Sequence, residues 1–158
     1  MNKKLQQWHQ LLSRLPDSLI AFVGRFSMAA VFWLSGQTKI DGLAINLISG
    51  DFQLGWPHLS DTAIFLFQEE YALPLLAPTT AALLAALAEH LLPILLLFGL
   101  ATRYAAMGLL AMTLVIQIFV YPGAYATHGV WACVLLYLMA HGAGKFSIDY
   151  WLARRLNG

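Results

Sequence analysis

The sequence predicts an all-α protein of a cell membrane: an integral four-helix bundle with an amphipathic N-terminal segment and a helix in its outer loop. The first observation behind this is composition. The chain of 158 residues is 59% hydrophobic and only 11% charged, against about 25% charged in an ordinary soluble domain. A water-soluble domain of this size keeps too much of its volume near the surface to hide so much apolar area, and lipid as solvent removes the difficulty. The second is length: four segments approach the roughly 20 mostly apolar residues that a spanning helix needs. The third is the supply of aromatic rings with polar handles, 5 Trp and 6 Tyr, which favour the headgroup level of a bilayer.

The spans are expected at about 18–35, 79–100, 104–121 and 126–142 of a single membrane domain covering 1–158. The first reads SLIAFVGRFSMAAVFWLS and the second TTAALLAALAEHLLPILLLFGL. Tight connections, Leu100 to Arg103 and Pro122 to Thr127, make spans two to four antiparallel neighbours. The fourth is short and draws on Ala124 to Thr127 or tilts little. Ahead of the first span, Leu5, Trp8, Leu11, Leu12 and Leu15 recur at helical spacing among Lys3, Lys4, Gln7 and Arg14. That pattern suits a helix lying on the membrane surface. Polar residues from Gln6 to Asp17 separate the lysines from the apolar stretch, so no cleavable signal is expected.

Between spans one and two lies a connection of about 40 residues, long for a compact domain. Gly50, Gly55, Trp56 and Pro57 mark its irregular part. Ser60 and Asp61 are N-cap residues for a helix through Phe65 to Tyr71, ended by Pro74. Basic residues set the orientation. Lys3, Lys4 and Arg14, then Arg103, then Lys145, Arg154 and Arg155 fall in alternate loops on one side. The other side has Lys39 beside Asp41, Asp51, Asp61, Glu69 and Glu70. Both termini are therefore expected in the cytoplasm of a multi-pass protein of a bacterial inner membrane. A formal charge of +1 argues against a nucleic-acid partner held through phosphates.

Arg25 and Glu89 lie inside spans one and two, where a charge costs roughly 2.5–3.5 kcal/mol on insertion scales and finds a partner. Counting at 1.5 Å per residue puts Arg25 about 10 Å and Glu89 about 16 Å from the same boundary, so an Arg25–Glu89 pair is geometrically permitted. Pro93 cannot bond the Glu89 carbonyl, so a kink should leave a free acceptor there, with His90 adjacent. The site of Arg25, Glu89, His90 and Pro93, which Lys39 joins if Glu89 answers to it or to His90 rather than to Arg25, reads either as a polar pocket for a proton, a quinone head or another small ligand, or as an ion pair that orients helices. A second group, Lys39, Gln117, Tyr121 and His128 with Gln37 and Tyr125, gathers at the outer ends and reads more readily as an interfacial belt.

No catalytic residue and no metal ligand set is expected. Asp51 and His58 lack ligand spacing. His90, His128 and His141 fall at different depths, which argues against haem. Cys133, the single cysteine, excludes an intramolecular disulfide and CxxC chemistry and reads as an inert core thiol.

The chain resembles the DoxX family of small four-helix bacterial membrane proteins. The residues that carry this are Arg25, the run Gly36-Gln37-Thr38-Lys39 that ends span one, Glu89 followed by Leu97-Phe98-Gly99-Leu100-Ala101-Thr102-Arg103, and Phe146-Ser147-Ile148-Asp149 after span four. Segments 67–74, 88–93 and 118–122 resemble one branch, whose members are encoded beside enzymes that modify ribosomally made, often metal-binding, peptides. The resemblance implies an accessory role in membrane redox or in metal or oxidative stress. A membrane or periplasmic oxidoreductase, or such a peptide, would be the partner, and quinone the cofactor. With one cysteine the chain cannot do dithiol chemistry alone. A small transporter or channel component and a ligand-free scaffold remain competing readings, and homo-oligomerisation stays open.

Overall fold

The computed structural model describes residues 15–46 and 49–156. The surface helix expected over Met1 to Leu15 lies outside the described residues, apart from its last position. Four helices are long and apolar enough to cross a membrane: Asp17–Gln37, Pro78–Phe98, Thr102–Val120 and Pro122–His141. In finer detail the chain forms α1 (Asp17–Gln37), β1 (Ile40–Asn46), β2 (Asp51–Leu59), α2 (Asp61–Leu66), α3 (Pro78–Phe98), α4 (Thr102–Val115), α5 (Tyr125–His141) and α6 (Ile148–Leu156). Two π-helical turns, Phe67–Tyr71 and Ile116–Val120, extend α2 and α4.

The bundle is packed the way lipid demands. Its seams hold small residues, with Ala21, Ala29, Ala82, Ala86, Ala105 and Ala106 all buried, and small residues let helix backbones approach closely without a hydrophobic driving force. Large apolar side chains such as Phe22, Phe26, Leu83, Leu87 and Leu91 point outward. In water such a surface would aggregate; in a bilayer it is the solvated face.

The long connection departs from expectation. Its first part is an antiparallel hairpin, β1 pairing with β2, with Ile45 opposite Phe52 and Leu43 opposite Leu54. The alternation of Phe52, Leu54 and Trp56 is a period-two signal that the neighbouring Gly55 and Pro57 obscure. The outer helix is present. The Ser60 hydroxyl caps it, accepting from the Ala63 N–H at 3.1 Å. It ends before Pro74, at Ala72, whose φ of 36° is left-handed.

A stagger between α1 and α3 shapes the interior. Gly36, at the end of α1, faces the middle of α3. A Cβ there would come within 2.9 Å of the His90 ring and 3.0 Å of the Glu89 Cβ, so glycine is needed for the close approach. Beyond that point the N-terminal half of α3 runs past the end of α1. The turn after α2 replaces it, with Phe67 buried against Ala81 and Ala82. One corner of the bundle is thus built from α1 at one end and the outer connection at the other.

At the opposite end the segment after α5 folds back on the turn between α3 and α4. The Asp149 carboxylate accepts from the Ala101 and Thr102 N–H groups at 2.8 and 2.9 Å, satisfying donors that every helix N-terminus leaves open. Helix α6 is amphipathic, and the Arg155 guanidinium lies 3.9 Å over the Trp151 ring.

Candidate functional site: a cavity beside a buried ion pair

The membrane-buried charges form two centres rather than one. Glu89 is 2% exposed, and its partner is Lys39, with Nζ 2.7 Å from Oε2. Lys39 also donates to the Ser35 carbonyl at 3.2 Å and to the Ser35 hydroxyl at 3.1 Å. Two of the three N–H bonds of the ammonium are thus taken by Ser35, and its charge faces Glu89. The Ser35 hydroxyl donates in turn to Glu89 Oε1 at 3.1 Å.

Arg25, 1% exposed, reaches the other way. Its Nη1 donates to the Leu96 and Leu97 carbonyls at 3.0 Å each, and its Nη2 donates to the Phe146 carbonyl. The expected Arg25–Glu89 pair does not form. The reason is chemical: the last carbonyls of α3 have accepting capacity to spare, Leu96 taking the Gly99 N–H at 3.0 Å, and a planar guanidinium with five N–H bonds suits several acceptors at once. Arg25 thereby ties α1 to the end of α3 and to the Phe146–Asp149 segment. Gly99 makes room for it. At φ 64° a Cβ there would fall 2.5 Å from the Ser147 Cβ and 2.6 Å from the Arg25 Nη1.

His90 and Pro93 are close to Glu89 in sequence but turn elsewhere. The Ala86 carbonyl, 2.6 Å from His90 Nδ1, can only accept, so Nδ1 carries the hydrogen. His90 Nε2 then accepts from the Gln37 amide at 2.8 Å, and Gln37 Oε1 accepts from the Ile45 N–H at 2.6 Å. Trp33 completes the set, its indole N–H donating to the Ile45 carbonyl at 2.8 Å. This relay fixes the hairpin to α1 and α3. Pro93 is buried within an unbroken α3 and lines a separate apolar pocket of about 190 Å³ with Phe26, Trp33 and Leu97. Neither residue lines the cavity described next.

That cavity occupies about 550 Å³ where α1 gives out. Ser35, Lys39 and Glu89 stand on one wall, the small side chains Ala81, Ala85 and Ala88 of α3 leave the space, and His128, Trp131 and Tyr121 line it toward the hairpin end. Both π-helical turns border it, through Phe67 and Tyr71 and through Ile116 and Val120. Such turns are common at functional sites. Much of the lining is apolar, and Leu76, Leu84 and Val115 belong both to the lining and to the exposed flank, so the cavity is continuous with the lipid-facing surface.

The outer cluster assembles in part. Gln117 donates its amide N–H to the Pro122 carbonyl at 2.7 Å. Its Oε1 must therefore face His128 Nδ1, 2.7 Å away, which makes that nitrogen the donor and leaves Nε2 as an acceptor. The Tyr121 hydroxyl donates to Glu70 at 2.6 Å, an interaction that pushes its pKa above the usual tyrosine range. Lys39 leaves this cluster for Glu89. Ser35, which sequence reading passed over, was signalled by its position one helical turn before Lys39. Cys133 is exposed rather than a core thiol, because α5 turns its Leu135–Leu138 side inward. Among the described residues no group of three or more His, Cys, Asp or Glu is arranged to hold a metal.

No curated protein and no solved structure matches the chain. A family profile described as DoxX matches residues 20–122. That stretch holds α1, the hairpin, α2, α3 and α4, hence most of the cavity wall together with Arg25, Lys39 and Glu89. The chain belongs to the DoxX family.

Proposed function

We propose that this DoxX protein is an accessory component of a membrane redox or metal and oxidative-stress system in a bacterial inner membrane. In this reading both termini are cytoplasmic, and the cavity beside Lys39–Glu89 seats the ring of a lipid-soluble quinol. The observation that carries the reading is a ligand-sized, mainly apolar cavity, open to the bilayer flank, with a buried ion pair on its wall. Small-molecule sites are of this size and have this mixture of apolar lining and few polar groups.

The donor and acceptor chemistry favours the reduced form of the ligand. A quinone carbonyl needs donors, and Lys39 is already committed to Ser35 and to the charge of Glu89. The Glu89 carboxylate and His128 Nε2 are acceptors, matched to the two hydroxyl groups of a quinol. Bound there, the quinol would supply electrons. The protein's part is to orient its ring and hold its protons at Glu89 and His128. The basic residues Arg103, Lys145, Arg154 and Arg155 around the α3–α4 turn and α6, against the acidic hairpin and α2, support the orientation.

A scaffold reading is favoured by one observation: Lys39 is turned onto protein groups, Ser35 and Glu89, as a purely structural pair would be. Titration of purified protein in mild detergent with a quinol and the matching quinone separates the two. Saturable binding with preference for the quinol, lost when Ala85→Phe fills the cavity, supports the proposed function. Absence of binding by either form leaves the scaffold.

A further inference from the structure

We infer that the β1–β2 hairpin is an interfacial membrane anchor whose apolar face, carrying Phe52 and Leu54 with the exposed Trp56 just beyond them, is seated among lipid headgroups and upper acyl chains. The three side chains are 62%, 83% and 89% exposed. Phe52 and Leu54 alternate along β2 and share one face of the strand, and Trp56 follows where the register slips between Asp41 and Leu43. The opposite face carries Asp51 and Gln53.

The ladder says where the apolar face points. Residues directly opposite one another in an antiparallel pair lie on the same face, and Phe52 is opposite Ile45 while Leu54 is opposite Leu43. Ile45 closes the apolar pocket against Phe26 and Trp33 of α1 and Ile94 and Leu97 of α3. Phe26, Ile94 and Leu97 belong to the exposed flank of two membrane spans. The apolar face of the hairpin is therefore continuous with a surface that already faces lipid. The hairpin is also held there, because Gln37 and Trp33 bond the Ile45 N–H and carbonyl from within α1.

The free edge of β2 limits how deep it sits. Open sheet edges do not occur in the hydrocarbon region, where no water meets their N–H and C=O groups. An amphipathic hairpin lying flat at the interface meets both requirements: apolar side chains reach the acyl chains while the edge stays hydrated. Trp56 suits this level, as interfacial tryptophans do. The hairpin has no lysine or arginine; its charged residues are Asp41 and Asp51.

The test uses full-length protein with Cys133→Ser, carrying one added cysteine at a time from Asp51→Cys to Trp56→Cys. Each is labelled with a small fluorophore and reconstituted in phosphatidylethanolamine–phosphatidylglycerol vesicles. The expected result is a period of two. Labels at 52 and 54 are quenched severalfold more by lipid with a nitroxide near the headgroup than by aqueous iodide, labels at 51 and 53 show the reverse, and the label at 56, past the register shift, is quenched by the lipid nitroxide as well. Uniform iodide access along β2 would overturn the inference by placing the hairpin in water. So would self-quenching at alternate positions that disappears on dilution with unlabelled protein, since the occupant of the face would then be a second copy of the chain.

Discussion

Lys39 Nζ lies 2.7 Å from Glu89 Oε2, and this contact fastens the turn just after α1 to the middle of α3 at one wall of the cavity. The pair does two things at once. It neutralises a carboxylate that would otherwise stand alone in apolar surroundings, and it presents the only ionised wall of an otherwise largely apolar chamber among its described lining residues.

Removing one partner should therefore harm the protein more than removing both. A single charge left buried costs about 3–5 kcal/mol, whereas replacing a whole pair by apolar groups can be nearly neutral. Lys39→Met and Glu89→Leu are each expected to lower the midpoint of thermal unfolding in detergent, and the double variant to recover much of the loss. Arg25→Met combined with Glu89→Leu should show no such recovery. Recovery in that second pair, and none in the first, would contradict the two-centre arrangement.

Arg25 makes a different prediction. Its guanidinium bridges the Leu96, Leu97 and Phe146 carbonyls, a fork that lysine cannot copy. Arg25→Lys keeps the charge but should still destabilise the protein by about 1–3 kcal/mol, the cost of leaving buried acceptors unpaired. The loss should appear locally, as faster amide exchange and proteolysis around Phe146–Asp149. Asp149→Ala, which removes the cap on Ala101 and Thr102, should cost about 0.5–2 kcal/mol and expose the same segment.

These contrasts mark what could be read from the residues alone. Apolar length and basic-residue bias specify four spans because lipid imposes one rule on every residue of a span. Which charge meets which is a different matter. Counting rise per residue put Arg25 and Glu89 within reach, but it treats helices as equal rods ending at common planes. The stagger at Gly36 brings Lys39 to Glu89 instead, and that stagger depends on the absence of a single side chain. The hairpin was hidden for a related reason: its period-two signal is short and broken by Gly55 and Pro57, while the docking that stabilises it comes from Trp33 and Gln37 in another element.

Gln37 tests that docking. Gln37→Leu removes both the acceptor for the Ile45 N–H and the donor for His90 Nε2. The expected cost is about 1–3 kcal/mol. More telling is its location: amide exchange should quicken at Ile45 and along β1 while α4 and α5 stay protected. Uniform loosening of the whole bundle would show that the relay holds the fold rather than the hairpin.

The last prediction separates a ligand-binding protein from a scaffold. Ala85 lines the cavity from α3 and makes none of the ion pair's hydrogen bonds, so Ala85→Phe intrudes a ring into the chamber while Lys39, Ser35 and Glu89 keep their partners. Filling an existing void causes less strain than overpacking a dense core, where extra methylenes cost about 1–3 kcal/mol. The variant should therefore express and unfold like the parent. If the cavity seats a quinol, Ala85→Phe should lose quinol binding and fail to restore growth of a deletion strain under oxidative or metal stress. His128→Phe, which removes an acceptor but keeps a ring, should weaken binding by about tenfold, as one lost hydrogen bond of some 1.4 kcal/mol would. Full rescue by Ala85→Phe, together with loss of rescue by the stably folded double variant at Lys39 and Glu89, would place the function in the ion pair and not in the space beside it.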